Sequence, residues 1–260
     1  MNDWFAYHIL GLPERAALGA KPIDDLMVWV HYLMAILFVG WVAYFLYVLW
    51  RFSAKKNAVA SYHGSTSKIP KYTEVAIVLA EAVLLLAIAV PLWGKNVQQF
   101  PDPRDKDTTV IQIMAQQFGW NVRYAGHDRE FGQQDMKLIA DDNIFGVDPK
   151  DPKGKDDIQF YNGNIHVVIN KPVLIYLSSK DVIHSFKLVA MRMTQDAIPG
   201  LRIPLTFTPT KLGRFQVECA QLCGGGHSAM AGGFVVVESQ EDFDAWMKTK
   251  MAAATPQTFE

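Results

Sequence analysis

Cys219-Ala220-Gln221-Leu222-Cys223-Gly224-Gly225-Gly226-His227-Ser228-Ala229-Met230 contains the only two cysteines of a 260-residue chain, four positions apart. A histidine follows four positions on, and a methionine three beyond it. Thiolate, thioether and imidazole donors in one short loop suit copper better than any hard cation. A mononuclear blue-copper site uses one thiolate, two imidazoles and a weak axial thioether. A second cysteine lets two thiolates bridge two ions, each closing its shell with one imidazole and one weak ligand. Gly224, Gly225 and Gly226 put no side chain in the way and accept the φ angles of a tight loop. The cysteine spacing alone suits a disulfide as well; the histidine, methionine and glycines together favour copper.

On both sides of this loop the pattern is that of short strands. Segments 108–114, 120–124, 136–140, 165–169, 172–178, 185–191, 202–208, 214–218 and 233–238 are rich in valine, isoleucine and aromatic residues, with glycine, proline or asparagine between them. That spacing predicts an all-β Greek-key sandwich or barrel. Segment 141–157 interrupts it with six aspartates and three lysines and reads as a solvated insertion. Beyond 239 a helix-like pattern around 243–251 leads into the tail.

Further out the composition changes. Half of the residues are hydrophobic and the net charge is −1, which excludes a disordered chain and gives no basic patch for a nucleic acid. Residues 26–50 carry no formal charge, and 75–93 carry only Glu81. At 1.5 Å per residue these runs are roughly 37 and 28 Å long, against a hydrocarbon core of about 30 Å. They read as a transmembrane hairpin. The loop between them holds Arg51, Lys55, Lys56, Lys68 and Lys71, which places it in the cytoplasm and both termini outside. The first 25 residues lack the basic start and apolar core of a cleavable signal. The expected organisation is an outer segment 1–25, a hairpin 26–93 with a cytoplasmic loop 51–72, a linker 94–107, a β domain 108–239 and a tail 240–260.

One more imidazole would complete the metal set. His31 lies in the first span, His8, His63 and His127 in expected loops, and His166 in an ordinary strand position. His184 stands apart, at the start of a strand well ahead of the loop. A histidine on one strand facing a terminal loop with cysteine, histidine and methionine is how cupredoxin sites are assembled.

These pieces together resemble subunit II of the haem–copper cytochrome c oxidases. The resemblance rests on the outward-facing hairpin, Gln116-Gln117-Phe118-Gly119-Trp120-Asn121, Asp181-Val182-Ile183-His184-Ser185, Asp196-Ala197-Ile198-Pro199-Gly200 and the terminal loop, in the family's order. It implies a cupredoxin-like domain with a dinuclear copper A centre. Cys219 and Cys223 would bridge, His184 and His227 would each bind one ion, and Met230 and the Gln221 carbonyl would be weak outer ligands. It implies electron delivery from a cytochrome c, transfer to haem in subunit I, dioxygen reduction coupled to proton pumping, and a subunit III. It also implies a bacterial plasma membrane with the copper domain on the periplasmic face.

Individual positions qualify this. The family's usual glutamate is Gln221 here, and a neutral amide is a weaker partner for the magnesium ion that the resemblance implies at the subunit I interface. Phe118 matches the tryptophan at which electrons enter, with Trp120 as the other aromatic nearby. Asp181 matches an acidic donor-docking position, but Lys180 beside it replaces an acid, which makes a membrane-bound cytochrome donor an alternative to a basic soluble one. Glu74 matches the mouth of a proton path into subunit I, and Asp196 belongs to the subunit I interface. Two readings compete: the copper A subunit of a nitric oxide reductase, and a membrane-anchored Sco-type copper chaperone.

Overall fold

The computed structural model describes residues 2–59, 62–64, 66–126 and 128–254. His127 and the last six residues of the expected tail lie outside them. The chain divides into two compact units, Met1–Leu12 with Pro22–Lys95, and Pro13–Lys21 with Asn96–Glu260.

The first unit is helical. A short helix α1 (Asn2–His8) contains His8, which the sequence reading put in a loop. The long helix α2 (Ala20–Arg51) starts ahead of the expected apolar run, because Pro22 is tolerated in a first turn and the charges of Lys21, Asp24 and Asp25 do not break a helix. The second long helix is continuous through α3 (Ile69–Ala82), a π-helical segment Val83–Ala89 and α4 (Val90–Gln98). Pro91 accounts for the irregularity. Its ring crowds the preceding turn and it has no N–H to donate, so the ladder widens, and the Val90 N–H reaches back to the Leu85 carbonyl. The helix runs past the expected start of the linker at 94, since nothing before Pro101 stops it. Both long helices are apolar and long enough to cross a membrane, with none of the apolar stretch buried.

The second unit is a two-sheet cupredoxin-like sandwich. Its strands are β1 (Thr109–Gln116), β2 (Gly119–Tyr124), β3 (Ile158–Phe160), β4 (Ile165–Val168), β5 (Val173–Ser179), β6 (His184–Leu188), β7 (Met193–Ala197), β8 (Ile203–Phe207), β9 (Gly213–Cys219) and β10 (Gly233–Glu238). One sheet has the order β3-β2-β1-β5-β8 and the other β4-β10-β9-β6-β7. The β1–β5 and β4–β10 pairs are parallel and the rest antiparallel. Between the sheets Ile111, Ile113, Val122, Ile175, Leu177, Phe186, Leu188, Val217, Val235 and Val237 form the core. A helix α5 (Gln240–Ala254) closes one end, with Trp246 stacked on His166 at 4.1 Å and edge-on to Tyr124.

Strands β3 and β7 were not expected from the sequence, and three larger features also depart from that reading. Residues 136–140 form no strand; Met136–Leu138 is a 3-10 turn capped by the Asp135 carboxylate. The charged insertion is not simply solvated, because Ile144, Phe145 and Val147 are buried with Met114 in a second apolar cluster. Every residue of β2 is therefore buried, although strands normally alternate. Arg123 lies beneath this cover, donating from Nε to the Asp157 carboxylate at 3.0 Å, from Nη1 to Gln112 at 2.9 Å and from Nη2 to the Gly132 carbonyl at 3.0 Å. Burial pulls the Arg123 guanidinium below its ordinary pKa and pushes the Asp157 carboxyl up, each against the pull of the other. Lastly, Pro13–Lys21 runs as a strap over the sandwich: Ala16 N–H donates to the Ala190 carbonyl at 2.8 Å, Thr210 N–H to the Ala16 carbonyl at 2.8 Å and Leu18 N–H to the Thr208 carbonyl at 3.0 Å. Ala16 is fully buried there.

Candidate metal centre

The fold brings the soft donors together at one end of the sandwich. Cys219 ends β9, and Phe186 of the neighbouring β6 is its register partner. His184 is two residues from Phe186, so it points to the same face and reaches the loop that follows Cys219. The Ala220 N–H donates to the Ser185 carbonyl at 2.9 Å, which continues the pairing into that loop. His227 and Met230 lie on the 3-10 turn His227–Gly232, where residues three apart eclipse. Both therefore face Cys223.

The resulting distances are short. The Cys219 and Cys223 sulfurs are 3.9 Å apart, and both thiols are free. His184 Nδ1 is 3.9 Å from the Cys219 sulfur, and the Gln221 carbonyl oxygen accepts from that thiol at 3.1 Å. His227 Nδ1 is 3.4 Å and the Met230 sulfur 3.5 Å from the Cys223 sulfur. The ligand atoms of His184, Cys219 and Cys223 all lie within 4.8 Å of one another, a group that could hold a metal ion. Two sulfurs sharing one ion at about 2.3 Å each, the bond length for zinc, must lie within about 4.6 Å of one another. The observed separation meets that limit, and the soft donor set is one that copper prefers. Burial, and then the neighbouring Cys219, push the Cys223 thiol up to about 11.

The surroundings are tightly fitted. A Cβ on Gly226 would stand 2.3 Å from the Phe118 ring, and one on Gly224, whose φ is +134°, 2.8 Å from the Gln117 amide. The loop thus lies flat on Phe118, which is half-buried. Trp120 is buried; its indole N–H donates to the Met230 carbonyl at 3.0 Å and its ring meets His184 and Phe186 edge-on. It offers no surface to a partner.

The Asp181 carboxylate is partly exposed, but both of its oxygens are engaged within the chain. One oxygen accepts from the Val182 N–H at 2.7 Å and lies 2.9 Å from His184 Nε2, while the other accepts from the Gln117 N–H at 2.7 Å. Burial alone would raise its pKa, but those hydrogen bonds and the imidazole hold it below the ordinary carboxylate value. Lys180 is paired with Asp141 at 2.7 Å. Asp196 is exposed on β7, in register with Ser185. Glu74 lies in the helical unit, in the early turns of α3, and borders an apolar groove with Trp41, Tyr44, Thr73 and Ile77. Sequence reading had no role for Gln117, whose side-chain amide donates to the Cys223 carbonyl at 2.6 Å.

A family model described as cytochrome c oxidase subunit II, periplasmic domain, matches residues 109–240, half of the chain. The alternative cytochrome c oxidase subunit 2 of Bradyrhizobium diazoefficiens is 31% identical over 89% of this chain and 81% of its own. This chain belongs to the cytochrome c oxidase subunit II family. Subunit 2 of Cereibacter sphaeroides is 26% identical over 92% of this chain and 82% of its own. The crystal structure of the periplasmic domain of subunit II from Bradyrhizobium japonicum aligns with 25% identity and a TM-score of 0.41, covering 56% of this chain and 96% of that one. Subunit II proteins are components of oxidoreductase complexes, and in this member the His–Cys–Cys group sits at the end of a cupredoxin-like domain carried by two membrane-length helices.

Proposed function

We propose that this chain is the electron-accepting subunit of a haem–copper cytochrome c oxidase. It takes single electrons from a cytochrome c at its outer domain and passes them to haem in subunit I, where dioxygen is reduced to water and protons are pumped. The observation that carries this reading is the convergence of two thiols 3.9 Å apart with two imidazole nitrogens, a thioether and a backbone carbonyl, each 3.1–3.9 Å from a sulfur. A dinuclear copper centre held there supplies a one-electron couple whose change of charge is shared between two metals.

The residues divide the remaining work. Cys219 and Cys223 would bridge, His184 and His227 would supply one imidazole each, and Met230 and the Gln221 carbonyl would be the weak outer donors. His184, Cys223 and Met230 are buried and the loop rests on Phe118, so these three donors are held against the sandwich. Phe118, half-buried against the loop, is the point at which electrons enter. Asp196 contacts subunit I, and Glu74 opens a proton path from the cytoplasmic side. The Gln221 amide makes a poor magnesium ligand at that interface. The donor is a cytochrome c, soluble or membrane-bound, and subunit III completes the complex.

The location is a bacterial plasma membrane with the copper domain outside. The basic loop between the spans supports a cytoplasmic hairpin turn. The strap supports it too, since residues before the first span and after the second belong to one folded unit. Copper analysis with electron paramagnetic resonance tests the whole reading. The purified chain should hold two coppers sharing one unpaired electron, and Cys219→Ser should abolish both that signal and oxidase turnover. Retention of both in the variant overturns the bridging role.

A further inference from the structure

Asp181 has both carboxylate oxygens engaged inside its own chain. One meets His184 Nε2 at 2.9 Å, on the far side of the ring from the Nδ1 that faces the Cys219 sulfur. The other accepts the Gln117 N–H at 2.7 Å, and the Gln117 side chain in turn donates to the Cys223 carbonyl at 2.6 Å. Four residues from three separate parts of the chain thereby close a bracket around the two thiols. Its members are His184 at the start of β6, Asp181 in the turn before it, Gln117 in the β1–β2 turn and Cys223 in the terminal loop.

We infer that Asp181 is a positioning residue for the metal centre, fixing the ring orientation of His184 and, through Gln117, the distance from His184 to Cys223. The inference rests on the function proposed above. Three observations carry it. His184 is fully buried, so without Asp181 its Nε2 would have no water to turn to. The acceptor oxygen also takes the Val182 N–H at 2.7 Å, which fixes the carboxylate before it meets the ring. The geometry fits the general rule that a metal-binding imidazole donates its other N–H to a carboxylate, which selects the tautomer and makes the ligand nitrogen more basic. His227 differs, being only half-buried, so the two imidazoles are held to unequal degrees.

The test uses the detergent-solubilised full chain and its oxidase complex. In Asp181→Asn, copper should still bind in pairs, but retention against a chelator should weaken by about 10–100-fold, the usual cost of losing such a partner. The copper hyperfine pattern should change as well, and Asp181→Glu should recover part of both. The salt dependence of reduction by a basic soluble cytochrome c should keep its wild-type slope. Unchanged copper retention and spectrum in Asp181→Asn overturn the inference, as does a change confined to the salt slope, which would make Asp181 a docking acid. If Asp181→Asn fails to fold, nitrogen-15 resonances of the unmutated, copper-free chain decide. A proton on Nε2 of His184 supports the bracket, and one on Nδ1 overturns it. Absence of a copper pair in the unmutated chain would instead overturn the function itself.

Discussion

Gly226 and Gly225 are neighbours with opposite consequences. A methyl group at Gly226 meets the Phe118 ring at 2.3 Å, whereas one at Gly225 meets nothing within 4 Å. Gly226→Ala should therefore push the loop off the ring, lowering the thermal midpoint and the copper content measured after dialysis; Gly225→Ala should leave both within error. Trp120→Phe keeps the edge-on packing but leaves the Met230 carbonyl without its donor, a loss of about 1–3 kcal/mol in a urea titration. At this scale the sequence singled out the soft donors that the fold brings together, and said little about their supports. Cysteine, histidine and methionine announce themselves by type and spacing. Asp181 and Gln117 act through directions that only the folded turns create, and Trp120 looked as available as Phe118 until its indole proved to point into the core.

Among the elements, the insertion shows how an average can mislead. Its aspartates and lysines dominate the composition, yet Ile144, Phe145 and Val147 pack it onto Met114 of β1, and Asp157 joins it to Arg123 of β2. The same cover encloses the Arg123–Asp157 ion pair, whose side chains are both fully buried. Removing one partner strands the other charge, so Asp157→Ala should cost about 3–5 kcal/mol in chemical denaturation. The double variant Asp157→Ala with Arg123→Met should be more stable than the sum of the two single losses suggests. Strand β7 was missed for a related reason. Met193–Ala197 is a polar edge strand held by its pairing to β6, and Thr194 and Asp196 on it are exposed, so it carries no run of apolar side chains. Long apolar helices were easier, because nothing else in a sequence resembles twenty-five residues without a charge.

For the molecule as a whole, the strap is the piece no periodicity could reveal. Pro13–Lys21 has neither a helical nor a strand pattern; its bonds go to main-chain groups at Ala190, Thr208 and Thr210. An outer domain produced from Asn96 onward should fold with the same sheets but melt several degrees below a version carrying the strap as well. Calorimetry of the two would show it, and equal midpoints would mean that the strap adds no stability. The order of synthesis gives this contact a further meaning. The strap leaves the ribosome early, while the carbonyls and amides that receive it are made only after both long helices and most of the strands. It must therefore wait as a loose end, and the domain is sealed only when that early segment is laid across it.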